Sequence, residues 1–184
     1  MTPVREKQEI GLPVTGFSLP LIGGSGLCSL EHFLDGKRGA VVVFWSGECS
    51  HCNRYDEYLN TFAARHPDLG LVAIASRHGE TADKLKATIA ERRLTFPILH
   101  DASQAVARQW YTQQTPRAFL VDAHKTLLYR GAIDNFKFRT DPEFVEYLEP
   151  AIAAFRAGQP IEKADTASFG CAIMSVYYIL PKPV

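Results

Sequence analysis

The stretch GAVVVFWSGECSHCNRYDEYLNTFAARH, residues 39–66, decides the fold. It opens on seven β-branched, aromatic or small residues, Gly39 to Trp45, a continuous apolar run of the kind a buried central strand carries. It closes on Tyr55, Tyr58, Leu59, Phe62 and Ala63, which recur at helical spacing and predict an amphipathic helix from about Ser50 to His66. Cys49 and Cys52 fall at the junction. Two thiols there could be a redox couple, half of a metal site, or a peroxide-reducing nucleophile with a bystander.

The rest of the chain extends this strand–helix unit. LGLVAIAS, residues 69–76, reads as a second buried strand, and TADKLKATIAERR as a helix with Leu85 and Ile89 on its apolar face. FPILH gives a short extended piece and ASQAVARQWY a short helix. Residues 117–121 and 126–133 flank DAHK at hairpin spacing. DPEFVEYLEPAIAAFRAG predicts a closing helix with Val145, Leu148, Ile152 and Phe155 inward and Gly158 as its cap. Upstream, GFSLPLIGGSGLCSL reads as a hairpin around a glycine turn; the GGSG cluster lacks the Lys-Ser/Thr of a phosphate loop. Alternation followed by a hairpin predicts an α/β mixed sheet with helices on both faces.

Composition narrows the function classes. The 184 residues suit a single domain, with its core over about 16–158 and a C-terminal extension over 159–184. Twenty Lys plus Arg balance twenty Asp plus Glu, so no basic excess marks a nucleic-acid partner. No apolar run approaches the roughly 18–20 residues of a membrane span. The charged opening MTPVREKQEIG lacks an apolar leader core, so the sequence as written predicts a cytoplasmic protein, or a periplasmic or extracytoplasmic one if a leader preceded it. Cys28, Cys49, Cys52 and Cys171 are too few and too unevenly spread to staple a small domain. With Cys28 and Cys171 single and six His dispersed, no metal site and no cofactor are expected beyond a Cys49–Cys52 disulfide.

A thiol at a helix start faces unpaired backbone N–H groups, which favour the thiolate and lower its pKa from about 8.5 into the range ~3.5–7.5. Cys49, the outer residue, is the expected exposed nucleophile. Cys52, one turn further in, is the expected resolving thiol.

The pattern F-W-x-x-x-C-x-x-C at a strand–helix junction resembles the thioredoxin superfamily, above all its TlpA/ResA-like and redoxin (AhpC/TSA-like) members. TPRAFLVD, residues 115–122, resembles the same family's Thr-Pro segment, in which a cis proline faces the redox pair. The likeness runs from about Gly16 to Gly158. It implies a thioredoxin-like fold and thiol–disulfide exchange with a protein disulfide or dithiol, plus an electron donor or acceptor the sequence does not name. Trp45, Ser46, Glu48, Ser50 and His51 around the pair are candidate supporting or substrate-binding residues, and the resemblance implies that Thr115 and Pro116 present backbone to an extended substrate. The resemblance further implies a role in cell redox homeostasis, with antioxidant activity as a branch; the oligomeric state is not legible.

Several positions depart from the family pattern. Glu48 stands where Trp or Tyr usually precedes the first Cys, and a carboxylate turned inward would raise the Cys49 pKa. Val43 occupies the place of the buried Asp of thioredoxins, and Tyr55 that of the Glu of ResA-like proteins, so no matched base for Cys52 is visible. His51, also found in the oxidising DsbA-type proteins, would favour the Cys49 thiolate, which places the potential in the range of roughly −270 to −120 mV. Ser46, three residues before Cys49, matches the Thr/Ser-x-x-Cys of peroxiredoxins and keeps a thiol peroxidase as the alternative. There the partner Arg position falls on Pro116, with Arg117 beside it. A binding module that has lost catalysis is the remaining class. Cys171 in TASFGCAIM resembles redoxin-like Gly-Cys tails: it is either a third thiol that exchanges with the pair or a buried Cys on an extra edge strand. Trp110, Tyr111 and Cys28 read first as packing residues.

Overall fold

The structure is a computed structural model, and it describes residues 8–173. A hairpin of β1 (Ser18–Pro20) and β2 (Leu27–Ser29) leads into a short helix, α1 (Leu30–Leu34). The central strand β3 (Gly39–Trp45) is buried along its whole length, as its apolar run demands. It runs parallel to β4 (Leu69–Ala75), which in turn runs parallel to β5 (Ile98–His100). On its other side β3 pairs antiparallel with β7 (Arg117–Asp122), which forms a hairpin with β8 (Leu127–Gly131). The result is a five-stranded mixed sheet in the order β5-β4-β3-β7-β8.

Alternation along β3 divides the core in two. Val41, Val43 and Trp45 face one side with both cysteines, Leu59, Phe62, Leu85, Leu148 and Ile152. Ala40, Val42 and Phe44 face the other with Leu30, Val106, Trp110 and Phe119. The first face is therefore covered by α2 (Ser50–Asn53), α3 (Asp56–Asn60), α4 (Phe62–Arg65), α5 (Ala82–Arg92) and α7 (Leu148–Arg156). The second is covered by α1 and α6 (Ala105–Gln109). This is the mixed sheet with helices on both faces expected from the order of elements, and the thioredoxin-like arrangement that the resemblance implies.

Two elements differ from their sequence-based expectation. The helix predicted over 50–66 is three short segments, interrupted at Tyr55 (φ −102°, ψ 4°) and Thr61 (φ −93°, ψ −3°). Tyr55 reaches out of the helix to Asp134, and the Thr61 hydroxyl donates back to the Glu57 carbonyl at 2.8 Å, a bond that bends helices. The closing helix starts at Leu148, seven residues late. Residues 145–147 are tied to 133–135 instead, with Asn135 N donating to Val145 O and Tyr147 N to Ile133 O, both at 3.0 Å. Val145, expected inward, is exposed. The predicted stop holds: Gly158 adopts φ +65°, with Gly158 N donating to Phe155 O and Gln159 N to Ala154 O, the paired bonds of a Schellman cap.

One more strand lies outside the main sheet. After α7 the chain returns past β8, where Thr166 N donates to Arg130 O and the Thr166 hydroxyl shares a 2.7 Å hydrogen bond with Tyr129 Oη. It then forms β9 (Cys171–Ala172), antiparallel to β6 (Gln114–Thr115), the segment that enters the Thr115–Pro116 peptide. That peptide is cis.

Candidate active site

Cys49 is the N-cap of α2, with extended backbone (φ −95°, ψ 111°), and its carbonyl accepts from Cys52 N at 2.9 Å and Asn53 N at 3.3 Å. The strand β3 delivers it across the loop Ser46–Glu48. That loop is held by a buried carboxylate: Glu80 Oε1 accepts from Gly47 N (2.7 Å), Ser46 Oγ (3.2 Å) and Glu48 N (3.3 Å). Burial nonetheless pushes the Glu80 carboxyl up, against the hydrogen bonds from Gly47, Ser46 and Glu48. No sequence pattern pointed to Glu80; it lies in the polar loop after β4 with no spacing relation to the cysteines.

The two thiols are driven apart in acidity. Hydrogen bonding from Cys52 is the largest influence on Cys49; with further hydrogen bonds from Cys171 and Thr115 it overcomes burial and lowers Cys49 to about 4. Cys52 moves the other way, raised by burial and then by the hydrogen bond and charge of the Cys49 thiolate. A hydrogen bond between neighbouring sulfurs thus separates the two thiols, making the outer one more acidic and the inner one less so.

The Cys49 thiol lies 3.3 Å from the Thr115 carbonyl, so the cysteine pair and the Thr-Pro segment meet directly. Thr115 and Pro116 are buried. The expectation of an exposed Cys49 is corrected: Cys49, like Cys52, has 0% of its surface accessible. Among the neighbours that enclose it is β9, whose Cys171 packs against the core cluster that contains both cysteines. Cys171 is itself half-buried, and its thiol is raised by burial and by the hydrogen bond with Cys49, while Arg77 opposes the rise.

The supporting residues divide by position. Trp45 is wholly buried beneath the pair, edge-on to Phe96 at 5.9 Å with the Arg92 guanidinium 5.3 Å from its ring. Glu48 turns away from Cys49 and pairs with Lys84 at 2.8 Å and Arg77 at 3.5 Å. Ser50 and His51 are exposed, and the His51 ring stands edge-on to Phe136 at 6.0 Å. Trp110 is core, its indole N–H donating to Thr15 O, whereas Tyr111 is exposed. Cys28 is half-buried against the second face.

Tyr55, in the place of the expected glutamate, donates its hydroxyl to Asp134 Oδ1 at 2.6 Å. Asp134 also accepts from Phe136 N at 2.8 Å and lies 4.0 Å from Arg54. A buried carboxylate thus stands one residue behind Tyr55, contributed by the chain after β8. The peroxiredoxin-like features are placed differently. The Ser46 hydroxyl is buried and committed to Glu80, and Arg117 lies over Phe119 at 5.8 Å, a residue of the sheet face opposite the cysteines. Among the described residues no group of three or more His, Cys, Asp or Glu is arranged to hold a metal ion, and no helix is long and apolar enough to cross a membrane.

Known proteins resemble this chain in sequence and in shape. Thiol-disulfide oxidoreductase ResA of Bacillus anthracis is 26% identical over 118 residues, covering 64% of this chain and 66% of that protein, just under two thirds of its length. A hypothetical protein of Sinorhizobium meliloti, known from its crystal structure, is 30% identical with a TM-score of 0.78, covering 90% of this chain and 93% of that one. A putative thiol:disulfide interchange protein DsbE from Chlorobium tepidum superposes with a TM-score of 0.65 at 21% identity, over 80% of this chain and 98% of that one, a likeness of fold. The AhpC/TSA family profile matches residues 10–130, which is most of the chain and includes both cysteines and the Thr-Pro segment. The chain belongs to the AhpC/TSA family.

Proposed function

We propose that this chain is a thiol–disulfide oxidoreductase that exchanges disulfides with protein substrates through Cys49 and Cys52. The observation that carries the reading is the placement of the two thiols: Cys49 at the start of α2 with its Sγ 3.3 Å from the Thr115 carbonyl, and Cys52 buried one turn behind it, an arrangement that lowers the pKa of the first and raises that of the second. In the reducing direction the Cys49 thiolate attacks one sulfur of a substrate disulfide. An S–S bond forms between enzyme and substrate, and the other substrate sulfur leaves as a thiolate. Cys52 then gives up its proton and attacks Cys49 Sγ. The substrate departs with both sulfurs reduced, and the enzyme keeps a Cys49–Cys52 disulfide for an external dithiol to reduce.

Thr115 and Pro116 supply the backbone against which an extended substrate strand pairs, a mode in which main-chain hydrogen bonds give affinity with little sequence demand. The commitment of Ser46 to Glu80 and the placement of Arg117 on the far face favour disulfide exchange over peroxide reduction. Turnover of a protein disulfide with the Cys52→Ser variant tests the reading. Turnover is expected to cease while mixed disulfides accumulate at Cys49. Rapid peroxide turnover that survives Cys52→Ser would instead assign the site to peroxide chemistry.

A further inference from the structure

A nucleophile without accessible surface cannot meet a protein disulfide, so whatever covers Cys49 governs its chemistry. The cover over the Thr115 side of the site is the chain's own C-terminal segment. Thr115 pairs with Cys171 and Gln114 with Ala172. The segment is anchored on both sides. Thr166 is bonded to Arg130 and Tyr129, and Ile173 is buried, with Ile173 N donating to Gln113 O (2.9 Å) and His78 N to Ile173 O (2.8 Å).

Between the anchors, Gly170 lies directly on the Thr115–Pro116 peptide. A Cβ built on Gly170 would stand 1.7 Å from Thr115 O and 3.2 Å from Pro116 N, so only glycine allows this approach. Thr115 O is also the carbonyl that receives the Cys49 thiol. A β-strand with a cysteine, laid antiparallel on the edge beside the nucleophile, is the posture of a disulfide substrate.

We infer that the segment Gly170–Ala172 is an internal substrate: it occupies the edge where an external protein strand would pair, and Cys171 exchanges disulfide with Cys49. This rests on the exchange reading above. When Cys49 and Cys52 are joined, the Cys171 thiol loses its proton and attacks Cys49 Sγ. The Cys49–Cys171 bond forms as the Cys49–Cys52 bond breaks, and Cys52 leaves as a thiolate and takes up a proton. No net oxidation occurs, and Cys52 can reverse the step. Oxidation of Cys49 removes the thiolate whose charge and hydrogen bond hold the Cys171 proton in place, and leaves Arg77 to favour its ionisation. The step therefore becomes easier once the pair is oxidised. An external substrate must displace β9, so its apparent affinity is reduced by the fraction of molecules in which the strand is open.

Two measurements on the full chain test this. In the first, Cys52→Ser is oxidised with one equivalent of the azo oxidant diamide, which takes two electrons, and the products are mapped by alkylation and peptide analysis. An intramolecular Cys49–Cys171 disulfide is expected; Cys171 remaining open to alkylation while Cys49 forms intermolecular disulfides would overturn the inference. In the second, Gly170→Ala lifts the strand without touching a thiol. With the open form populated at no more than about 10%, Gly170→Ala is expected to raise both the iodoacetamide reactivity of Cys49 and kcat/KM for insulin disulfides by about tenfold or more. Unchanged rates would refute the cover. Should iodoacetamide reactivity rise while neither wild type nor variant reduces insulin, the exchange function fails and the strand's covering role stands.

Discussion

The acidity of Cys49 gives the sharpest test of how the site works. Cys52 is the largest source of its stabilisation, so Cys52→Ala removes a hydrogen bond to a charged sulfur. Such bonds contribute about 1.5–3 kcal/mol, and about 1.4 kcal/mol corresponds to one pKa unit. The Cys49 midpoint should therefore rise from about 4 to roughly 5–6 in the variant, still below a free thiol because Cys171 and Thr115 remain. Ultraviolet absorbance of the thiolate against pH is the suitable assay, because it does not require a reagent to reach a covered sulfur. The same shift sets a stability profile. The folded pKa lies below the unfolded value of about 8.5, so the stabilisation of reduced protein is complete above that value and is lost as pH falls towards about 4. Oxidised protein has no such contribution, and its stability relative to the reduced form should gain as pH drops through that window. A wild-type midpoint near 8.5, or a variant midpoint equal to wild type, would refute the sulfur-to-sulfur hydrogen bond as the source of the acidity.

Three further outcomes are expected. Glu80→Ala should slacken the Ser46–Glu48 loop and cost about 1–3 kcal/mol in denaturant unfolding, because three donors lose their shared acceptor; a loss within error would show that water replaces the carboxylate. Tyr55→Phe deprives the buried Asp134 of a 2.6 Å donor and should slow the Cys52 step, seen as longer-lived mixed disulfides at Cys49 in rapid quench, with the first attack unchanged. An equal slowing of both steps would mean Tyr55 acts through folding alone. Gly70→Ala places a Cβ 1.9 Å from Phe33 O near the start of β4, and should lower the melting temperature by several degrees at least; an unchanged melting temperature would mean that α1 is free to move away.

Much of the fold was legible because its signals are local. The run Gly39–Trp45 can only be buried on both faces, and it is. The alternation of strand and helix followed by the DAHK hairpin predicted a mixed sheet, and β3 does run parallel to β4 and antiparallel to β7. What periodicity missed came from side chains with distant partners. Tyr55 carries a helical spacing, yet its hydroxyl bonds to Asp134, 79 residues away, and the helix breaks there. Val145 fits the apolar face of α7, yet the backbone around it is taken by 133–135.

The site shows the same division. The thiols and the Thr-Pro segment stand out as motifs, but the residues that set their behaviour are scattered through loops. Glu48, read alone, opposes a thiolate on the next residue; Lys84 and Arg77, from the helix and loop after β4, draw it outward. The position that lacks a glutamate at Tyr55 gains a carboxylate from the far side of β8. The exposed nucleophile expected at a helix start is instead enclosed, and the tail that pairs with the Thr-Pro edge begins 54 residues beyond Pro116, counted to Gly170. Arg77 joins these departures, since it contacts Glu48 and acts on the Cys171 thiol. The loop that pairs with Glu48 thus also holds the strand beside Cys49, through Arg77 on Cys171 and His78 N donating to Ile173 O.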